Sequence, residues 1–242
     1  MAEKSIFKFR IEPQDVDFTF HARLDSLCSI MLHMAGADAQ NRGFGVDAIM
    51  VKNRAWVLSR MSVEIDRFPK QYEEIELRTW VSENRLLLST RNFEMVDAAG
   101  EVVCRAVSQW CLIDYERRVP VSLEECDTFT PDKLCSAPSP CTPPRKLRGI
   151  EPTESTSRRV VYSDIDFNHH VNTMRYLAMM LDVLPIDMLS SNRPLRLDVH
   201  FMHECRLGQT ISVGYCQQGE ESMFEIISDE ATVACRAVIE WR

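Results

Sequence analysis

Apolar residues follow two different periods along this chain. Leu24, Leu27, Cys28, Met31, Leu32 and Ala35 recur at the i, i+3, i+4, i+7 spacing of one helix face, and Gly43 and Gly45 mark its end. From residue 57 the period becomes two. Val57, Ser59, Met61, Val63 and Ile65 alternate with Leu58, Arg60, Ser62, Glu64 and Asp66, the pattern of a strand with two unlike faces. Further strands are predicted over 6–11, 75–81, 86–96 and 101–115, with a turn at Asp97-Ala-Ala-Gly100. The order then returns: a strand at 159–163, a helix at about 171–184, and strands at 195–202, 210–216, 223–227 and 232–241. Each part reads as one helix followed by an antiparallel meander, an α+β class. A sheet curled around one apolar helix buries both faces, and two such units would pair their sheets.

Punctuation falls in one place. Seven of the eleven prolines lie between Pro120 and Pro152, many of them in Ser136-Ala-Pro-Ser-Pro-Cys-Thr-Pro-Pro144. Proline cannot donate to a ladder, so this stretch reads as a linker. The expected organisation is an N-terminal unit over 1–123, a linker over 124–156 and a C-terminal unit over 157–242. The two units also share residues. Asp15-Val-Asp-Phe-Thr-Phe-His-Ala22 lines up with Asp164-Ile-Asp-Phe-Asn-His-His-Val171, and Val103-Cys-Arg-Ala-Val-Ser-Gln-Trp110 with Ala234-Cys-Arg-Ala-Val-Ile-Glu-Trp241. Two matches in the same order point to an internal duplication.

Composition narrows the class. With 45% hydrophobic and 26% charged residues in 242, the chain has the balance of a globular protein. No apolar run approaches the ~18 residues of a membrane-spanning helix, and the first ten residues lack a secretory core. Nine cysteines, an odd number without a CxxC pair, read as reduced thiols. A formal charge of −8 argues against nucleic acid as the main partner.

Candidate chemistry concentrates before the second helix, in Asp164-Ile-Asp166-Phe-Asn168-His-His170-Val-Asn172. The alternation predicts Asp166, Asn168 and His170 on one side of an extended segment. A carboxylate, an amide and an imidazole together can orient water, take its proton and hold the imidazole tautomer. Backbone N–H groups at the start of the following helix would meet a developing oxyanion. The plainer alternative is a helix cap flanked by solvent-facing histidines. Metal is disfavoured, because His169 and His170 face apart in a strand, as do His200 and His203, and no HxxxH or HExxH occurs. A second feature is His203-Glu204-Cys205-Arg206, where a cysteine nucleophile competes with an ordinary buried thiol. The first unit keeps Asp17 and His21, but sets Thr19 opposite Asn168 and Phe68-Pro69 opposite Glu204-Cys205. If one unit is catalytic, it is the second.

These motifs resemble the acyl-acyl carrier protein thioesterases, whose plant members terminate fatty acid synthesis. The resemblance is carried by Asp166-Phe-Asn168-His-His170-Val-Asn172 with Tyr176, by His203-Glu204-Cys205, by Trp56-Val-Leu-Ser-Arg-Met61 running on to Asp66-Arg-Phe-Pro69, and by Thr79-Trp-Val-Ser82. The family's Asn-Asn pair reads Asn172-Thr173 here. The resemblance spans nearly the whole chain and implies a double hotdog fold, each half a helix wrapped by an antiparallel sheet. It implies hydrolysis of the thioester between a fatty acyl chain and the phosphopantetheine arm of the carrier protein, with acyl-coenzyme A or plain acyl binding as alternatives. By the same resemblance the first half holds the acyl chain; the helix stripe of Met31, Leu32 and Ala35 is expected to pack on the sheet with Trp56 and Val57, which makes Met31 and Trp56 candidate pocket residues against plain core filling. The second half supplies catalysis through Asp166, Asn168 and His170, together with Glu204 as a carboxylate or Cys205 as a nucleophile. Water activation by Glu204 and His170 is the preferred scheme, since a thioester already has a good leaving group. No plastid transit peptide precedes Ser5, which implies a bacterial, cytoplasmic member. Acyl carrier protein is the expected partner, a homodimer is allowed, and no cofactor, metal, membrane or nucleic acid is expected. Carrier proteins are acidic, so a basic patch is expected at Arg145, Lys146, Arg148, Arg158 and Arg159. That stretch carries net +3 against Glu151 and Glu154, with Arg117 and Arg118 as further candidates.

Overall fold

The protein, as a computed structural model, is described over residues 2–242, with every side chain but that of Glu125. It divides into two compact units, Met1–Pro143 and Pro144–Arg242. The first holds β1 (Ser5–Arg10), α1 (Leu24–Asn41), α2 (Val46–Met50), β2 (Arg54–Ile65), β3 (Glu74–Arg85), β4 (Leu88–Val96) and β5 (Val102–Asp114). Its strands run antiparallel in the order β1-β3-β4-β5-β2. Only β3, β4 and β5 form the expected meander. The α1 crossover separates β1, which pairs with β3, from β2, which pairs with β5.

The predicted face of α1 is buried at Leu24, Leu27, Cys28, Met31 and Ala35. The helix runs on to Asn41, just before the glycines that mark its end, and Asp38 lies buried on that face because its carboxylate is satisfied. Asp38 accepts from Arg91 (2.6 Å), Arg42 (2.7 Å) and Ser5 (2.5 Å), and its carboxyl is held below the usual carboxylate range by these partners against the opposing effect of burial. Gly43, at φ +76°, lets the chain turn out of the helix while the Phe44 N–H closes on the Ala39 carbonyl at 3.0 Å. A Cβ on Gly45 would lie 2.6 Å from the Gln40 Cα, so glycine alone fits there. In β2 the alternation holds for the buried Met61, Val63 and Ile65, but a bulge between Leu58 and Arg60 shifts the register. Leu58, not Ser59, is therefore buried before it.

The second unit holds β6 (Glu154–Arg159), α3 (Thr173–Leu181), α4 (Ile186–Ser190), β7 (Leu195–Phe201), β8 (Thr210–Gln218), β9 (Glu221–Ser228) and β10 (Val233–Trp241). Its order, β7-β10-β9-β8-β6, repeats that of the first unit. The strand expected at 159–163 is displaced to β6, and residues 162–164 form a 3-10 turn instead. Glu-Ser-Thr-Ser carries no hydrophobic alternation, and it becomes a strand only because its backbone pairs with β8 from Glu154↔Tyr215 to Arg159↔Thr210.

The proline-rich stretch serves both units. In the first, Cys135 donates to Val81 O (2.8 Å), Trp80 Nε1 to Ala137 O (3.1 Å) and Ser62 Oγ to Thr142 O (2.9 Å). In the second, the Arg145 N–H donates to Asp198 Oδ1 (3.1 Å). Prolines spoil ladder pairing but leave carbonyls free to accept from a sheet face.

The duplication is visible bond by bond. Ile11 N–H to Glu73 O (3.0 Å) recurs as Val160 N–H to Gln209 O (2.9 Å). Ala22 N–H to Pro69 O recurs as Val171 N–H to Cys205 O, both 2.8 Å. Asp66 N–H to Val103 O (3.0 Å) recurs as Met202 N–H to Ala234 O (2.8 Å). Two tandem helix-and-sheet units of one pattern give the α+β double hotdog architecture.

Candidate active site

The segment 165–171 is a closed hairpin turn, not the extended run that alternation predicted. Asp166 N–H donates to His170 O (2.9 Å) and His169 N–H to Asp166 O (3.0 Å), while Ile165 and Val171 form a bridge. His169 takes φ +63°, and the Asp166 carboxylate accepts the Asn168 N–H at 2.8 Å, an Asx turn. Local side-chain acceptance here outweighs the strand period. The first unit builds the same turn: Asp17 accepts from Thr19 N–H (2.7 Å), with Phe20 at φ +62°.

Two further contacts anchor the turn. Asp164, fully buried, accepts from Arg158 (2.8 Å), Arg175 (3.1 Å) and the Val161 N–H (3.0 Å), and its carbonyl accepts the Asn172 N–H at 2.8 Å. Asn172 caps α3 by accepting the Met174 N–H at 2.9 Å. The predicted oxyanion role of the helix start is thereby weakened, since Met174 N–H goes to the cap and Arg175 N–H to Asn172 O.

The β7–β8 loop brings the remaining residues. Val171 N–H donates to Cys205 O (2.8 Å), and His170 bridges Arg206, so the loop lies along the turn. Paired residues across a bridge share a face, as does the residue two before. Glu204 thus reaches His170: its Oε2 is 3.1 Å from Nε2, with the imidazole 16% and the carboxylate side chain 37% exposed. The sequence reading assigned the ring-fixing carboxylate to Asp166, but the tertiary fold gives the His170 ring Glu204, and Asp166 shapes the turn. Tyr176 on α3, buried, accepts the Cys205 N–H through its hydroxyl at 2.8 Å. It pins the loop that carries Glu204, a positioning role that its place in the motif signalled without specifying.

Cys205 joins this group but is 1% exposed, and burial pushes its thiol above the ordinary value. The thiolate, not the thiol, is the nucleophile, so this setting disfavours covalent catalysis. Among the described residues, no group of three or more His, Cys, Asp or Glu is placed to hold a metal.

Met31 and Trp56 lie in the first unit. Met31 is fully buried on α1. Trp56 packs on a cluster with Phe44 and Phe129, its indole N–H donating to Phe44 O at 3.0 Å. The basic stretch is partly consumed inside the second unit: Arg145 pairs with Asp198 (3.2 Å) and Glu221 (2.8 Å), and Arg158 with Asp164. A guanidinium held by an internal carboxylate is not available to an acidic partner. Lys146, Arg148 and Arg159 remain exposed.

Comparison with known proteins gives this arrangement its context. The acyl-ACP thioesterase N-terminal domain matches residues 4–127 and the C-terminal domain residues 148–242. An acyl-ACP thioesterase from Bacteroides thetaiotaomicron superposes with a TM-score of 0.90 at 29% identity, covering 99% of this chain and 98% of that one. The 12:0-ACP thioesterase from Umbellularia californica shares the fold at 18% identity, with a TM-score of 0.82 over 99% of this chain and 97% of that one. A chloroplastic acyl-[acyl-carrier-protein] hydrolase of Cuphea viscosissima is 26% identical over 236 residues, 90% of this chain and 57% of its own length. A chloroplastic palmitoyl-acyl carrier protein thioesterase of Gossypium hirsutum is 30% identical over 183 residues, 72% of this chain and 44% of its own. The chain spans about half the length of these plant relatives. Matched by both domains of the family in their order, with the predicted motif residues gathered on one turn and one loop, this chain belongs to the acyl-ACP thioesterase family.

Proposed function

We propose that the protein hydrolyses the thioester of a fatty acyl group carried on acyl carrier protein, releasing free fatty acid, with acyl-coenzyme A as the competing substrate. The observation that carries this reading is the 3.1 Å contact between His170 Nε2 and Glu204 Oε2 at a half-open position on a rigidly bonded turn. A carboxylate beside an imidazole forms an acid–base pair suited to neutral pH. In the proposed reaction a water gives its proton to the Glu204–His170 pair while its oxygen attacks the thioester carbonyl. The C–S bond then breaks and the proton passes to the departing sulfur. One water and one thioester yield one carboxylic acid and one thiol. Asn168, set by the Asx turn, is assigned to the carbonyl oxygen, and Asp166 to holding that turn. Cys205 has no covalent step in this scheme.

The acyl chain is assigned to the first unit along α1, where Met31 lies on the buried face and Trp56 belongs to the neighbouring aromatic cluster. The carrier protein is the proposed partner and the cytoplasm the proposed compartment. No helix is long and apolar enough to cross a membrane among the described residues. The test is thiol release from acyl-carrier protein and acyl-coenzyme A by purified protein. Release that is faster from the carrier thioester is expected, and release from neither would refute the hydrolase reading.

A further inference from the structure

The two copies of the turn share a backbone and differ in charge. In the first unit the Asp15 carboxylate accepts the Glu12 N–H (3.0 Å) and its carbonyl the Arg23 N–H (2.9 Å). In the second, the Asp164 carboxylate accepts the Val161 N–H (3.0 Å) and its carbonyl the Asn172 N–H (2.8 Å). The second unit then adds two guanidinium groups. Arg158 donates to Asp164 Oδ2 at 2.8 Å, and Arg175 donates to Oδ1 through Nε (3.2 Å) and Nη2 (3.1 Å). The duplication sets Phe9 opposite Arg158 and Ser26 opposite Arg175, so neither position offers Asp15 a cation.

Folding does not account for this addition. The first unit closes the same turn without it, and ion pairs on a buried carboxylate such as Asp164 add little net stability, because desolvation offsets the attraction. Arg175 also stands in the first turn of α3, which carries no acidic residue, whereas the first turn of α1 carries Asp25. A cation at that end opposes the helix dipole. Two guanidinium groups on one carboxylate leave a positive charge at the start of α3, while Asp15, Arg23 and Asp25 leave a negative one at the start of α1. Local rules broken in the copy that carries His170 and Glu204, and kept in the other, mark a functional role.

We propose that Arg175, fixed on Asp164, is a positioning residue for hydrolysis that clamps the start of α3 to the His170 turn and keeps a positive charge there. This inference rests on the hydrolase reading above. The linkage is short. The Asp164 carboxylate holds the Arg175 side chain and its carbonyl holds the Asn172 N–H, while the Arg175 N–H donates to Asn172 O at 2.9 Å, two residues beyond His170. Attack on the thioester turns a neutral carbonyl oxygen into an anion. The N–H groups of Met174 and Arg175, which would favour that anion, are already taken by Asn172. The guanidinium restores positive charge to the same helix end.

Arg175→Met keeps a long side chain and leaves Arg158 on Asp164; Arg175→Ser installs the first unit's own residue. Both are expected to lower kcat about tenfold, within the 10²-fold that a misplacement of about 1 Å costs, with KM changed less than about twofold. Arg175→Lys restores the charge and should recover most of the loss. Heteronuclear NMR should show the His170 imidazole resonances moved in Arg175→Met and those of His21 unmoved. Unchanged kcat in the folded variants, an Arg175→Lys protein no better than Arg175→Met, or unmoved His170 resonances would each overturn the clamp. A moved His170 in a protein whose wild type hydrolyses no thioester would instead overturn the hydrolase reading and leave the clamp standing.

Discussion

Replacing Glu204 and Cys205 separately by alanine distinguishes the two chemistries available to adjacent residues. Glu204→Ala removes the carboxylate 3.1 Å from His170 Nε2 and leaves the turn's backbone bonds in place. General acid–base groups contribute about 10² to 10⁴ in rate, or roughly 2.7 to 5.4 kcal/mol of barrier. Glu204→Ala and His170→Ala should each lose kcat on that scale, and the double variant should lose little more, because the pair acts as a unit. Cys205→Ala keeps the N–H that Tyr176 accepts, so it tests the thiol alone. An ordinary cysteine is only about 3% thiolate at pH 7, and burial of Cys205 lowers that fraction further. Cys205→Ala should therefore keep kcat within about tenfold, well short of the about 10²-fold or larger loss expected for a general acid–base group. The assay is steady-state thiol release, with intact-protein mass spectrometry of quenched reactions. An acyl group found on Cys205, or a Cys205→Ala protein as inactive as His170→Ala, would refute the water-activation scheme.

Tyr176→Phe strands the buried Cys205 N–H, which should cost about 1–3 kcal/mol and loosen the loop that carries Glu204. Denaturant melts should show the loss, and kcat should fall more than KM rises, with the Tyr176→His variant failing to restore either. Asp166→Ala and Asp17→Ala remove equivalent Asx-turn acceptors, at 2.8 Å and 2.7 Å respectively. Their melting temperatures should drop alike, whereas only Asp166→Ala should lose kcat; equal activity losses would contradict catalysis by the second unit alone. Burial raises the thiols of Cys28, Cys104 and Cys235 as well as Cys205, so the folded state holds these protons more tightly than the unfolded chain does. Stability should be insensitive to these groups below the ordinary thiol value and fall as pH rises above about 8.5. Urea melts from pH 7.5 to 10.5 should show a shallower decline in Cys28→Ala/Cys235→Ala, and parallel curves would exclude the thiols as the cause.

What the sequence determined by itself is whatever one short segment can encode. The buried face of α1, most of the strands, the duplication and the residues of the candidate site all follow from period and motif, because a helix or a half-buried strand writes its environment every few residues. Even the pairing of Glu204-Cys205 with Phe68-Pro69 emerged from aligning the repeats, and the bonds from Val171 to Cys205 O and from Ala22 to Pro69 O match it. What only the tertiary structure decided depends on groups far apart in the chain. Asp38 can lie on the buried face of α1 because Arg91, fifty-three positions away, pairs with it. The strand β6 exists because β8 supplies backbone partners that its own polar residues do not announce. The bulge in β2 shifts a face that alternation alone fixed one residue out. At the site, period-two reasoning extended a segment that Asp166 folds into a turn, and it set Asp166 to fix the His170 ring. The motifs already named Glu204 beside His170, but their 3.1 Å contact comes from the fold, since hydrogen-bonded backbone between elements, not spacing within one, sets which side chains meet.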